Sequence, residues 1–436
     1  MTNSIGMWRA RSPAAALAFI LVLAGCGGED SGDSVPAAGT GTLSAPAAVG
    51  KTIFFDGGLS VSGQTACASC HSPSRAFTSG IDIPVGGPNL NLQGLRNAPS
   101  LMYQAFTPLF QFRRDGKAAG GFFLDGRAAT LAEQAQQPFT TPFEMANADA
   151  AEVVQRLLTR PYLQAFKDAF GAAVVNDPPA AMQAIGAALQ AYQLEDPAFR
   201  LFTSKYDYYL KGQAQLSAQE ANGLKLFNDP AKGNCAACHA STPDAGVPAL
   251  FTDFSYSNLG VPRNWRLSFN RDDTVAPSYL PANGTALGAP NHNYYDLGLC
   301  GPQRDDLSGS TLLCGQFKTP TLRNAAIKNA YLHNGLYNTL KTTIAWKVTR
   351  DTNASVWYRL ADGVTPDIRY NDLPASFAFN VNAGDVPFNA ASAPSLTDSE
   401  INDVVVFICT LIDGFDPTKP AAYLRPGQCQ LATSPY

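Results

Sequence analysis

The sequence predicts an all-α protein built from two similar helical units with long loops. Three observations carry this. One local pattern occurs twice: Gly50-Lys-Thr-Ile-Phe54-Phe-Asp56 precedes Cys67-Ala-Ser-Cys70-His71, and Gly223-Leu-Lys-Leu-Phe227-Asn-Asp229 precedes Cys235-Ala-Ala-Cys238-His239. Residues 151–170, 179–194 and 401–412 have helical apolar spacing and few breakers. Alternating strand patterns are sparse, whereas 37 Gly and 31 Pro among 436 residues provide for loops.

At the N-terminus, Arg9 and Arg11 precede an apolar run over residues 14–23, too short to span a bilayer comfortably. It ends in Leu23-Ala24-Gly25-Cys26, which resembles a bacterial lipoprotein cleavage box. Residues 1–26 therefore read as a lipoprotein signal peptide, with Cys26 the acylated first residue of the mature chain. An ordinary secretory signal with an incidental cysteine is the alternative. Residues 27–45 are rich in Gly, Ser, Pro and Ala and read as a flexible tether. The first unit then covers residues 46–204 and the second 205–436. Ser217 with Glu220, and Thr397 with Glu400, have capping-box spacing and predict helix starts in the second unit.

Each Cys-x-x-Cys-His has the spacing of a c-type haem attachment site. Two thiols reach the two vinyl groups of one porphyrin, and the adjoining imidazole supplies the proximal iron bond. Zinc would need four ligands in one cluster, and a thioredoxin-like pair needs no histidine at this place twice. Cys67, Cys70 and His71 are thus assigned to one covalent haem c, and Cys235, Cys238 and His239 to a second. The two units read as cytochrome-c-like. Haem c is attached outside the cytoplasm, so the expected location is the periplasm, with the lipid at Cys26 as the only membrane contact. Of nine cysteines, Cys300, Cys314, Cys409 and Cys429 then remain, an even number suited to an oxidising compartment. Proximity favours Cys300–Cys314 and Cys409–Cys429, with other pairings open. A formal charge of −4 and the lack of basic runs argue against a nucleic-acid partner.

Several further stretches, in order, are Arg96-Asn97-Ala98-Pro99-Ser100, Asp125-Gly126-Arg127, Pro142-Phe143-Glu144-Met145, Asn258-Leu-Gly-Val-Pro262, Lys318-Thr-Pro-Thr-Leu-Arg-Asn324 and Tyr331-Leu-His333-Asn-Gly335. With the two haem motifs, they make the chain resemble the bacterial di-haem cytochrome c peroxidase superfamily, in its MauG-like branch. The resemblance implies a peroxide-reacting haem in the N-terminal unit and an electron-relay haem in the C-terminal unit. It implies that Gln134 orients peroxide, Pro138 shapes the pocket and Glu144 is the acid–base group. It also implies a calcium ion between the haems, held by Asn97 and the carbonyls of Lys328 and Ala330, the oxygen ligation calcium prefers.

Three features bear on mechanism. No histidine lies between His71 and His239, so the removable distal ligand of typical family peroxidases is missing and the first iron is expected to be open. Leu124 stands where relatives carry a tryptophan between the haems. Fourteen residues after His333, where relatives place Met or Tyr on the second iron, this chain has Lys347. A neutral lysine amine can ligate iron if burial and the metal strip its proton; a lysine snorkelling to solvent is the alternative. His333 is expected in the hydrogen-bonded region between the haems, and His292 in a solvated loop. The implied activity is reduction of hydrogen peroxide at the N-terminal haem. Electrons come through the C-terminal haem, from a donor protein or from a partner protein that is itself oxidised. A non-catalytic di-haem electron-transfer cytochrome is the alternative.

Overall fold

Helix pairs that cross at a glycine set the architecture. The computed structural model describes residues 42–271, 294–388, 393–420 and 426–429, so Cys26, the lipoprotein box and His292 lie outside the described residues. Among the described residues nine α-helices have six or more residues: α1 (Ala45–Phe55), α2 (Leu131–Thr140), α3 (Ala150–Leu157), α4 (Leu163–Phe170), α5 (Pro178–Glu195), α6 (Lys205–Leu210), α7 (Ala218–Asn228), α8 (Leu340–Thr349) and α9 (Asp398–Cys409). In the first half α1 packs on α5; in the second α7 packs on α9. A Cβ at Gly50 would overlap the Ala188 carbonyl, and one at Gly223 the Asp403 carbonyl. The glycine repeated in both pre-haem segments therefore buys backbone-to-backbone contact that any side chain would prevent.

Each crossing seeds an apolar core. Ile53 and Phe54 of α1 join Phe139, Leu157, Phe166, Ile185 and Leu189. Leu226 and Phe227 of α7 join Phe251, Leu340, Val404, Phe407 and Ile408. Phe54 and Phe227 are 1% and 0% exposed, and full burial of such a ring contributes roughly 1.5–3 kcal/mol. Among the described residues the regular sheet is confined to three two-residue antiparallel pairs: β1 (Val85–Gly86) with β2 (Leu92–Gln93), β3 (Gln111–Phe112) with β4 (Ala118–Ala119), and β5 (Tyr256–Ser257) with β6 (Phe317–Lys318). The chain is helix-rich with little sheet.

Local chemistry explains the helix ends. Ser217 and Glu220 cap each other's backbone at the start of α7, as Thr397 and Glu400 do at α9. At α2 the pattern is half realised: Thr130 accepts the Glu133 N–H, but the Glu133 carboxylate reaches the Ala129 N–H instead of that of Thr130. The helical stretch expected over 151–170 is two helices, α3 and α4. Pro161 interrupts it, having no N–H to give the preceding turn and disfavouring helical backbone at Arg160. Disulfides join Cys300 to Cys314 and Cys409 to Cys429, the pairing that proximity favoured.

Candidate functional site

The four cysteines of the two motifs are free thiols, unlike the four in disulfides. Cys67–Cys70 form one helical turn, closed by the His71 N–H on the Cys67 carbonyl at 2.9 Å. The second motif repeats the closure, His239 N–H to Cys235 carbonyl at 2.8 Å. Each imidazole is then fixed by a carbonyl downstream. His71 Nδ1 lies 3.0 Å from the Phe77 carbonyl and His239 Nδ1 lies 2.8 Å from that of Phe251. Burial pushes both imidazoles below their ordinary pKa, His239 to about 4 with help from the Lys347 ammonium, so both are neutral. A neutral ring whose Nδ1–H is held by a carbonyl presents Nε2 as a lone-pair donor. Burial also pushes Cys67 and Cys70 up to about 12, keeping them as protonated thiols. Paired free thiols and an oriented neutral imidazole, twice over, are the groups haem c requires.

A second repeat, which the sequence analysis did not single out, supports both histidines. The carbonyls of Pro99 and Pro320 also act on the two rings. They open matching segments, Pro99-Ser-Leu-Met-Tyr103-Gln-Ala105 and Pro320-Thr-Leu-Arg-Asn324-Ala-Ala326. Tyr103 (φ 64°) and Asn324 (φ 58°) are left-handed and each starts a 3-10 turn. The shared Pro-x-Leu-x-x-x-Ala was the available signal.

Two helices near the motifs, α2 and α8, are built on one frame. A bridge closes the preceding loop in each, Phe122 with Ala128 and Tyr331 with Tyr337. Phe123 (φ 61°) matches Leu332 (φ 68°), and Gly126 (φ 68°) matches Gly335 (φ 65°). Thr130 and Thr339 are the N-caps. Counting from those caps, Gln134 and Thr343 share one position, and Pro138 and Lys347 share another. Gln134, Thr343 and Lys347 all face one cavity of about 300 Å³ that also touches Leu124, His239 and His333. The Lys347 ammonium acts on Cys235, Cys238 and His239, so this side chain addresses the second motif.

Glu144 follows α2 and addresses the first motif. Its carboxyl acts on both Cys67 and Cys70. Burial raises it to about 7, against the pull of the Arg127 guanidinium and a hydrogen bond from Thr141. The hairpin of β1 and β2 holds its backbone: Gly87 N–H donates to the Glu144 carbonyl at 2.9 Å. Arg127 is fixed by Asp125 at 2.8 Å and Gln137 at 2.9 Å. Buried Asp125 also takes Arg96 at 2.7 Å, and Arg96 reaches on to Asp296. This chain of charges is what Asp125-Gly126-Arg127 contributes. His333 is buried, stacked on Phe317 at 3.8 Å, with Nε2 3.5 Å from Asp372.

The residues named for calcium do meet, but as a poor match for that ion. Asn97 Nδ2 donates to the Ala330 carbonyl at 2.8 Å, and the Lys328 carbonyl accepts from Tyr331 at 3.2 Å and Gln428 at 3.4 Å. Both carbonyls already accept from N–H or O–H groups, and the Lys328 side chain brings a positive charge to the cavity that Asn97 lines.

Comparison with known proteins follows from this geometry. A family model for di-haem cytochrome c peroxidases matches residues 44–215. The methylamine utilization protein MauG of Paracoccus denitrificans is 37% identical over 324 residues, 71% of this chain and 77% of that protein. This chain belongs to the di-haem cytochrome c peroxidase family. Cytochrome c551 peroxidase of Pseudomonas aeruginosa is 34% identical over 346 residues, 75% of this chain and 82% of that protein. The crystal structure of the diheme peroxidase BthA from Burkholderia thailandensis is similar with a TM-score of 0.74 and 36% identity, covering 87% of this chain and 90% of that one. As a member of the family the protein is a di-haem oxidoreductase, a peroxidase with two haem c groups.

Proposed function

We propose that the two haems have unequal tasks: hydrogen peroxide is reduced at His71, and electrons arrive through the haem at His239. The observation that carries this is the shared position on α2 and α8, Pro138 in one and Lys347 in the other. Proline has no group that can close an iron; lysine has an amine that can. Cys67 and Cys70 would hold the first haem by thioethers, with the His71 imidazole donating to its iron. Cys235, Cys238 and His239 would hold the second, with the Lys347 amine as a further donor. Bound at His71, haem would supply the redox-active iron for peroxide reduction.

The chain's own residues do the rest. The Gln134 amide orients peroxide, and Pro138 keeps the space beside it free of a competing donor. Glu144 takes the proton from one peroxide oxygen and gives it to the other, which departs as water; such help is typically worth about 10²–10⁴-fold. Two electrons and two protons complete the reduction of one peroxide to two waters. The electrons come from a donor protein in the periplasm or from a partner protein that is oxidised in the process. Thioether haem and the two disulfides both suit that compartment. Residues 1–26 serve as the lipoprotein signal, 27–45 as the tether, 46–204 as the peroxidatic unit and 205–436 as the relay unit.

EPR of the matured protein as isolated tests the reading. One high-spin and one low-spin ferric signal are expected, with peroxide reacting before any reduction. Two low-spin signals, inert to peroxide until an electron is added, would overturn it.

A further inference from the structure

Three lysines line the cavity, Lys318, Lys328 and Lys347, and two of them have identified surroundings. Lys318 donates to the Gly121 carbonyl and feels the Asp125 carboxylate. Lys347 faces the second motif. Lys328 is different. Its ammonium meets one acceptor among the described residues, the Ala98 carbonyl at 3.5 Å, a long contact. It forms no ion pair there, although Lys205 reaches Glu220 at 2.5 Å and Lys232 reaches Glu400 at 2.9 Å. Burial alone pushes it down to about 8, with no carboxylate pulling it back. It is close enough to His71 to lower that imidazole as well.

A cation drawn partly out of water with no anion beside it is destabilised unless a ligand brings one. The cavity is lined by Cys235, Cys238 and His239 of the second motif and by Ala76, Thr78 and Pro99, which flank the first; on the reading above porphyrin lies against it, and each porphyrin carries two propionate carboxylates. We propose that Lys328 is the cationic partner of a carboxylate of the haem at His71, the protein supplying from its own chain the positive charge that a metal ion would otherwise provide. The assignment rests on the two-haem reading and extends it to one residue. The neighbouring Asn97–Ala330 hydrogen bond agrees, since the Asn97 amide N–H already occupies the Ala330 carbonyl and the ammonium is the cation beside it. A nearby positive charge favours the reduced, less positive iron. Removing it should therefore lower the potential of that haem and leave the haem at His239 nearly unchanged.

The test is a spectroscopic redox titration of matured Lys328→Met and Lys328→Arg, with haem count by intact mass and calcium by elemental analysis. Lys328→Met is expected to carry two haems, with the His71 haem tenfold harder to reduce, about 59 mV lower for one electron. Lys328→Arg should restore most of the shift, which distinguishes lost charge from lost packing. Wild-type protein should hold no stoichiometric calcium, and EGTA should leave both spectra as they were. Two haems with an unchanged potential in Lys328→Met would overturn the assignment while leaving the di-haem reading intact. Calcium at one per chain, with spectra altered by EGTA, would also overturn it. Loss of one haem from wild-type protein would instead break the reading beneath it.

Discussion

The helices α2 and α8 begin alike and end in opposite chemistry. Both follow a bridged loop with a left-handed residue and a left-handed glycine, both start on a threonine cap, and both bury a leucine in the first turn. Four residues on, Gln134 offers a polar amide where Thr343 offers a hydroxyl; four more, Pro138 meets Lys347. A duplicated frame thus delivers a residue to the same helix position in each half, and of the two only the lysine carries a group that can bind metal. On the reading proposed above, function diverges at this position, while the carbonyl-fixed imidazoles of the two motifs stay the same.

The largest change should come from making the two helices equivalent. Lys347→Ala removes the only chemical difference at the shared position that can close an iron. The second haem should convert from low-spin to high-spin in EPR, the first remaining as it was. A low-spin signal unaltered in Lys347→Ala would mean that another residue ligates that iron. Lys347→Tyr should give a phenolate-type spectrum instead.

The next comparison is between the first site with its carboxyl and without it. Glu144→Gln should slow the reaction with peroxide by about 10²–10⁴-fold in stopped flow, with both resting spectra kept. The pH profile sharpens this. With its carboxyl raised to about 7, Glu144 holds a proton below that pH and cannot accept one from peroxide. The rate should climb as pH rises through about 7 and then level, and this limb should vanish in Glu144→Gln.

Much of this was legible in the sequence, for identifiable reasons. Cys-x-x-Cys-His compresses a whole proximal site into five residues, and capping boxes announce α7 and α9 within four. Gly50 and Gly223 showed as a repeat because a close crossing tolerates no other residue. What stayed hidden depends on contacts between distant segments. The bonds from His71 to Phe77 and from His239 to Phe251 span six and twelve residues of loop without a common spacing. The equivalence of Pro138 and Lys347 rests on backbone conformation, since only the threonine cap, the following leucine and the closing threonine match in their helices. The contact in which the Asn97 amide meets the Ala330 carbonyl, among the residues expected at calcium, is likewise one that no motif encodes.

The two glycine crossings offer a comparison of stability. Gly50→Ala and Gly223→Ala each place a methyl into a carbonyl of the facing helix. Each should cost about 1–3 kcal/mol by overpacking, which outweighs the gain in helix propensity of about 1 kcal/mol. Denaturant melts should show the loss for both, and a neutral or stabilising result at either would mean that the crossing relaxes.

The smallest expected effect lies at Leu124, the α2-side counterpart of His333. In the common frame the two residues share a position, and both line the cavity. Yet His333 stacks on Phe317 and approaches Asp372, whereas Leu124 contributes only a backbone carbonyl, accepting the Lys318 N–H at 2.9 Å. The first half therefore has an aliphatic side chain at the position where the family resemblance implies a tryptophan. Leu124→Trp extends an indole from a partly buried position toward the cavity, at an overpacking cost of about 1–3 kcal/mol. Electron exchange between the two haems should become modestly faster in flash-initiated kinetics, with the peroxide reaction itself unaltered. An exchange rate that stays the same in a folded, two-haem Leu124→Trp would show that electrons already pass by a route that does not use this position.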